Sequence, residues 1–411
     1  MRRKSEASFG PVRPRGKPDK YGEIRDRLWP GVNESGDGRF VLSEETSSLT
    51  DQEFSNASYW LDLISSLVNY RDLEASRNPS WGNIYNPDGA WHRDYQNSIE
   101  NDNSIRNIQT SYRLLAGKDR DVIRKLRFYT EGFTGYQLAT LALAGTRPWI
   151  SDKLSDNWDE TLRRLAGPPP SDIYHCVAAA NALPENLHIR PPKKFGEIGW
   201  LYKNQIVNED VYGYQHILTL MHENGLIELL MERLSNKGHL KIIEIGGGYG
   251  ALAYHLVGLF RFKVRYGIID IPESLAFSSI YCSTLLNQTR CDLVNDAAAF
   301  ELSDQNGLTF IPNMFYKNLS LDGGPIDLCI NTLSLAEMSP EQVEDYCSSI
   351  SQFIGQTGIF FEQNRQENEL ALANTFPKYF KNLRKCTTNL LTNYPDRRGE
   401  ANLWVNLGWS A

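Results

Sequence analysis

The run Lys241, Ile242, Ile243, Glu244, Ile245 leads straight into Gly246, Gly247, Gly248, Tyr249 and Gly250. A short apolar stretch, a cluster of glycines and a helix-compatible segment from Ala251 predict a strand, a tight turn and a helix start. Glycines in such a turn accept positive φ and let a ligand lie against bare main chain. Glu244 sits two residues before the first glycine, at the strand end. Asp270 follows twenty residues after Gly250, at the tip of a second apolar run over 264–269. A carboxylate there is placed to hold a ribose diol.

The surrounding pattern places this turn in a sheet. Strands are expected at 241–245, 264–269, 308–312, 326–331 and 357–362, with helices at 249–260, 273–287 and 340–354 between them. Two further strands are expected near 383–391 and 401–407. Such alternation specifies a mostly parallel α/β sheet with helices on both faces. Ligands bind such sheets at the carboxyl ends of the strands. Glu244, Gly246, Asp270, Asn313 and Asn331 all fall at strand ends.

The first half reads differently. Helical spacing recurs at 52–74, 104–115, 121–129, 136–143, 156–165 and 172–180, without strand alternation. Residues 75–98, with Trp81, Trp91 and His92, read as a loop whose aromatics could stack on a sugar ring or fill a core. At 411 residues the chain exceeds one compact domain. Three parts are expected: a disordered basic tail over 1–20, a mainly helical region over 21–195, and an α/β domain over 196–411. The region over 21–195 would cover the substrate or form a dimer interface.

Bulk properties exclude several classes. A formal charge of -7 argues against a nucleic-acid partner. The first twenty residues are the exception, with seven Lys/Arg against two acids. No apolar segment follows them, so a secretory leader is not expected. No run approaches the roughly 18–20 apolar residues of a membrane span. Six scattered cysteines, none in a Cys-x-x-Cys pair, fit reduced thiols in the cytoplasm. Seven dispersed histidines form no metal-ligand pattern.

Two cofactors suit the glycine turn. Gly246, Gly248 and Ala251 satisfy a dinucleotide pattern. Glu244 with Gly246, Gly248 and Gly250 satisfies the pattern of S-adenosylmethionine sites. Glu244 favours the second, because a carboxylate there repels a pyrophosphate and attracts an amino group or sulfonium. An NAD-dependent oxidoreductase or epimerase remains the alternative. So does a partner protein that binds the cofactor without turnover.

The run Ile243 to Gly250 resembles motif I of class I S-adenosylmethionine-dependent methyltransferases. The wider pattern is similar to the bacterial sugar O-methyltransferase family. It includes Gly196 to Trp200, Tyr266 to Glu273, Ile326 to Ser334, Ala336 to Met338 and Phe360 to Asn364. The resemblance covers 196–411. It implies a Rossmann-like, mostly parallel seven-stranded methyltransferase sheet. It also implies S-adenosyl-L-methionine as cofactor, S-adenosyl-L-homocysteine as product, and a sugar or glycan hydroxyl as acceptor. Glu244, Gly246 and Gly248, with Gly247 and Gly250 of the same turn, would hold the methionine part. Asp270 would hold the ribose, Ile271 would lie beside the adenine, and Asn313 would approach its amino group. Asn331 and Thr332 would lie under the sulfonium.

A sugar hydroxyl needs help losing its proton. Glu337 is the first candidate base, at a position where related enzymes carry a His-Asp pair; Ala336 occupies the histidine position. Glu337 equally suits a helix-start carboxylate before Pro340. His216 is the second candidate; His255 is expected to face packing or solvent. Glu362 and Asn364 are placed to meet substrate. No carboxylate cluster identifies a divalent metal, which is left open.

Overall fold

The computed structural model describes residues 40–42, 48–87, 108–127, 129–130, 177, 180–302, 305–364, 376, 378–380, 383–387 and 401–406. The expected basic tail, the helices at 136–143 and 156–165, and Trp91 and His92 lie outside them.

Strand β1 (Phe40–Leu42) precedes a long helix, α1 (Asp51–Arg77). Thr50 opens α1 with a capping box: its hydroxyl accepts from the Glu53 N–H at 3.2 Å, and Glu53 accepts from the Thr50 N–H at 2.9 Å. Trp60, Leu61, Ile64, Leu67, Val68 and Arg71 recur at helical spacing and form its buried face. Asn78 ends α1 and starts α2 (Pro79–Tyr85), with its side chain accepting from the Trp81 N–H at 3.2 Å. The expected loop at 75–98 therefore begins as helix. A proline is welcome in a first helical turn, where its missing N–H is no loss. Trp81 packs within this half, 4.8 Å from the Tyr85 ring. Helices α3 (Ile108–Ala116) and α4 (Arg120–Arg124) follow.

Strands β2 (Ile198–Tyr202) and β3 (Gln205–Val207) form an antiparallel hairpin, and β1 joins it in a small sheet of order β1-β2-β3. Two helices follow, α5 (Glu209–Glu223) and α6 (Leu226–Lys237). Gly225, at φ 72°, makes the break between them. The α/β region then runs through β4 (Leu240–Ile245), α7 (Ala251–Leu259), β5 (Val264–Asp270) and α8 (Pro272–Leu285). It continues with β6 (Arg290–Leu293), β7 (Gly307–Pro312), β8 (Leu328–Thr332) and α9 (Pro340–Ile354). It closes with β9 (Ile359–Gln363), β10 (Leu383–Thr387) and β11 (Ala401–Asn406).

The large sheet has the order β10-β11-β9-β8-β4-β5-β7-β6. Strands β4 to β9 all run parallel to one another, whereas β11 runs antiparallel between β9 and β10. The expected seven strands are present, and short β6 adds an eighth at one edge. After β4 the chain builds outward through β5 and β7, then returns to place β8 on the other side of β4. That reversal creates a crevice at the carboxyl ends of β4 and β8.

Helix α8 ties the two halves together. Every residue from Pro272 to Cys282 is buried, so the helix has no wet side over that stretch. Helix α1 lies antiparallel on it: Asn56 donates to Ser283 at 3.0 Å, and Arg71 clasps Glu273 at 2.6 and 2.7 Å. Gln109 of α3 adds a third donor to Glu273 at 3.0 Å. Trp60 packs edge-on against Phe310 of β7 at 5.4 Å. Among the described residues, no helix is long and apolar enough to cross a membrane.

Candidate cofactor and active site

The glycine turn leaves β4 with a hydrogen bond from the Gly246 N–H to the Ile269 carbonyl at 2.8 Å. Gly246 has φ 74°, and a Cβ there would stand 2.2 Å from Ser334 Oγ. Gly250 has φ 86° and caps α7; a Cβ there would meet Cys282 Sγ at 2.6 Å. Both positions thus require glycine on two counts, conformation and close approach. Gly247 and Gly248 complete the turn between them.

Glu244 lies beneath this turn, 2% exposed, with its carboxylate 3.3 Å from where a Gly247 Cβ would be. Tyr266 Oη donates to it at 2.8 Å. Burial pushes the Glu244 carboxyl up to about 7, against the pull of the Tyr266 hydroxyl, and nearby Asp270 pushes the same way. Tyr266 was not among the expected site residues. The period-2 alternation of β5 signals it, since it stands in register with Ile242, on the Glu244 face of the sheet.

Asp270, half-buried at the end of β5, accepts three hydrogen bonds. Gly248 N–H reaches Oδ2 at 3.0 Å, Ser274 Oγ reaches Oδ2 at 2.7 Å, and Ile271 N–H reaches Oδ1 at 2.8 Å. Burial raises its carboxyl to about 6 despite these donors. The carboxylate therefore holds the glycine turn. Ile271, half-buried, starts α8 beside it.

Asn313 follows β7. Its N–H donates to the Asp270 carbonyl at 2.9 Å, and its Nδ2 donates to the Tyr85 carbonyl at 2.9 Å. Its side chain is 4% exposed, and Oδ1 is buried with no hydrogen-bond partner. A buried acceptor left unmatched in this way is uncommon.

Asn331 plays a different part. Its Nδ2 donates to the Ile245 carbonyl at 3.0 Å and to Ser334 Oγ at 2.5 Å, and its Oδ1 accepts from the Leu335 N–H at 3.4 Å. It braces the ends of β4 and β8 rather than offering a free donor. Thr332 ends β8 half-buried. Leu333 then adopts φ 71°, a strained conformation for a branched side chain, with its N–H on the Gln363 carbonyl at 2.7 Å. That kink turns the chain into a 3-10 turn, Ser334–Glu337. Asn364 Oδ1 accepts from the Ala336 N–H at 3.2 Å, while its Nδ2 donates to Glu362 at 2.9 Å. Glu362 also accepts from Asn402 at 2.7 Å, so both of its oxygens serve the framework.

The two base candidates sit differently. Glu337 is exposed at the end of the 3-10 turn. His216 lies on α5, 1% exposed, with its ring stacked 6.4 Å from that of Tyr212. His255 is half-buried beside Tyr254, and burial lowers its imidazole to about 3. No group of three or more His, Cys, Asp or Glu suited to a metal ion occurs among the described residues.

One buried polar cluster underlies the turn. Arg127 donates to Glu197 at 2.8 and 3.2 Å, to Asp210 at 2.9 Å and to Thr130. Asn208 donates to the same Glu197 at 2.7 Å. Spacing does not announce this cluster, because Arg127, Glu197 and the Asn208–Asp210 start of α5 are brought together from three separate parts of the chain.

No protein-family model and no curated protein matches the chain. Solved structures do. A magnesium protoporphyrin IX methyltransferase from Synechocystis PCC 6803 with bound SAM is 14% identical, covering 47% of this chain and 83% of its own, at TM-score 0.28. An rRNA methylase from Streptococcus thermophilus is 15% identical over 46% of this chain and 95% of its own, at TM-score 0.30. An S-adenosylmethionine-dependent methyltransferase from Clostridium acetobutylicum is 11% identical over 47% and 96%, at TM-score 0.29. TM-scores this low lend no support to a shared substrate. Strand order, switch point and the antiparallel β11 give the chain the Rossmann-like methyltransferase fold expected from its sequence.

Proposed function

We propose that this chain is an S-adenosylmethionine-dependent O-methyltransferase that methylates a hydroxyl of a sugar, free or within a glycan or glycosylated metabolite. The observation that carries the cofactor is the unmatched Asn313 Oδ1, buried one hydrogen bond away from Asp270 at the crevice. An adenine amino group supplies the donor it lacks. Asp270 holds the ribose, and Glu244 under the glycine turn meets the amino group and positive charge of the methionine end. A pyrophosphate over Glu244 would face a carboxyl that ionises near pH 7 and find no cation there among the described residues, which disfavours NAD.

When bound, S-adenosylmethionine supplies an electrophilic methyl group with a neutral leaving group. The chain's own residues then have alignment as their main task. Asn331 and the Leu333 kink fix the 3-10 turn that carries Glu337 to the surface. Glu337 takes the proton from the acceptor hydroxyl; general bases of this kind contribute about 10²–10⁴-fold. Buried His216 is the weaker candidate for that proton. The sugar acceptor rests on the resemblance of 196–411 to the bacterial sugar O-methyltransferase family. Residues 21–195 are assigned to covering the substrate or to dimerisation.

Calorimetric titration tests the cofactor. Micromolar binding of S-adenosylhomocysteine is expected, with no binding of NAD. Binding of NAD alone would overturn the reading in favour of an oxidoreductase or epimerase. Tight cofactor binding without methyl transfer to any of a broad panel of sugar acceptors would favour an inactive partner protein.

A further inference from the structure

Three consecutive carbonyls of the N-terminal half are gripped by side-chain amides of the α/β half. Gln342 of α9 donates from Nε2 to the Ile84 and Asn86 carbonyls, both at 3.0 Å. Between them, the Tyr85 carbonyl accepts from Asn313 Nδ2 at 2.9 Å. Gln342 is itself held: its Oε1 accepts from the Ser339 N–H at 3.0 Å in the capping box of α9. Gln342 and Asn313 are both more than nine-tenths buried.

This arrangement settles which way the Asn313 amide faces. A backbone carbonyl can only accept, so the Tyr85 oxygen requires Nδ2 against it. Oδ1 is then turned away and left without a partner. Without the Tyr85 carbonyl, the amide could rotate and present either a donor or an acceptor to a ligand.

We propose that the Gln342 clasp on residues 84–86 is a specificity device: by locking the Asn313 amide as an acceptor, it selects a 6-aminopurine over a 6-oxopurine. The proposal rests on the cofactor reading above. Gln342 is a positioning residue that acts through Tyr85 and Asn313. An amino group satisfies Oδ1, whereas a 6-oxo group sets two acceptors against each other. Burying an acceptor that is left unmatched, or opposed, lowers affinity by about tenfold or more.

The test compares the affinities of S-adenosylhomocysteine and S-inosylhomocysteine by calorimetry, in the wild type and in Gln342→Glu. The glutamate keeps the Oε1 that caps α9 but cannot donate to the two carbonyls, so cap and clasp are separated. The wild type is expected to prefer the amino compound by about tenfold or more. In Gln342→Glu that ratio is expected to fall at least threefold. A residue that only stabilises the fold would weaken both ligands alike, so an unchanged ratio overturns the proposal. So does a wild-type ratio near one, a result that needs no variant. Binding of NAD in place of S-adenosylhomocysteine overturns the cofactor reading alone. The amino-to-oxo ratio is then taken on NAD and its hypoxanthine analogue. A protein that binds none of these purines overturns both.

Discussion

The guanidinium of Arg127 stands 3.7 Å from the centre of the Tyr249 ring. Arg127 belongs to the first half of the chain and Tyr249 to the glycine turn, so a cation–π contact joins the two beneath the site. The same guanidinium compensates the buried carboxylates of Glu197 and Asp210. Arg127→Met would keep the stem but strand both anions. Breaking a buried pair in this way costs about 3–5 kcal/mol. A lower midpoint of urea denaturation is expected, with partial recovery when Glu197→Gln is added. An unchanged midpoint would show that the cluster carries little stability.

Asp270→Ala removes the support of the Gly248 N–H and, with it, the proposed ribose contact. Affinity for S-adenosylhomocysteine should fall by about 1–3 kcal/mol. Asp270→Asn, which keeps an acceptor oxygen for the turn, should lose less. Equal affinity in the wild type and Asp270→Ala, read by calorimetry, would remove Asp270 from the ribose.

The buried Glu244 sets a pH dependence whose sign is fixed. Its carboxyl moves up from 4.5 to about 7 on folding, so between those values the folded protein holds a proton that the unfolded chain releases. Stability therefore falls as pH rises through that window, by on the order of 3 kcal/mol in full. Asp270, raised from 3.8 to about 6, slopes the same way at lower pH. Melting temperatures of the ligand-free protein should decline from pH 5 to pH 7. Glu244→Gln should flatten the decline; a curve parallel to the wild type would place its origin elsewhere.

Glu337→Gln should reduce turnover by about 10²-fold or more while leaving cofactor affinity nearly intact. S-adenosylhomocysteine release with a panel of sugar acceptors gives the first quantity, and calorimetry the second. Full activity would dismiss Glu337 as the base and return attention to His216.

The parts of the site that were legible in sequence are the local ones. Glu244, the glycines and Asp270 belong to one strand-turn-helix-strand unit, and short-range pattern suffices to place them. Helix α8 was legible as a helix but not as the hub, because a helix buried all round shows no amphipathic stripe to say what covers it. The Arg71–Glu273 pair spans 202 residues and leaves no trace in spacing. The β2–β3 hairpin turns on Lys203 and Asn204, both at positive φ, without the glycine that usually marks such a turn. The Gln342 clasp is invisible for another reason. It grips main-chain carbonyls, which Ile84, Tyr85 and Asn86 share with every other residue.

The burial of α8 also has a consequence for synthesis. Helix α1 leaves the ribosome with Arg71 and an apolar stripe ready for a helix that does not yet exist. At about 5–20 residues per second, the chain needs roughly 10–40 s to deliver Glu273. During that interval the nascent first half exposes Trp60, Leu61, Ile64, Leu67 and Val68 to whatever else is nearby. Slow codons before residue 273 would lengthen that exposure, and a chaperone that shields apolar helices would find α1 a client.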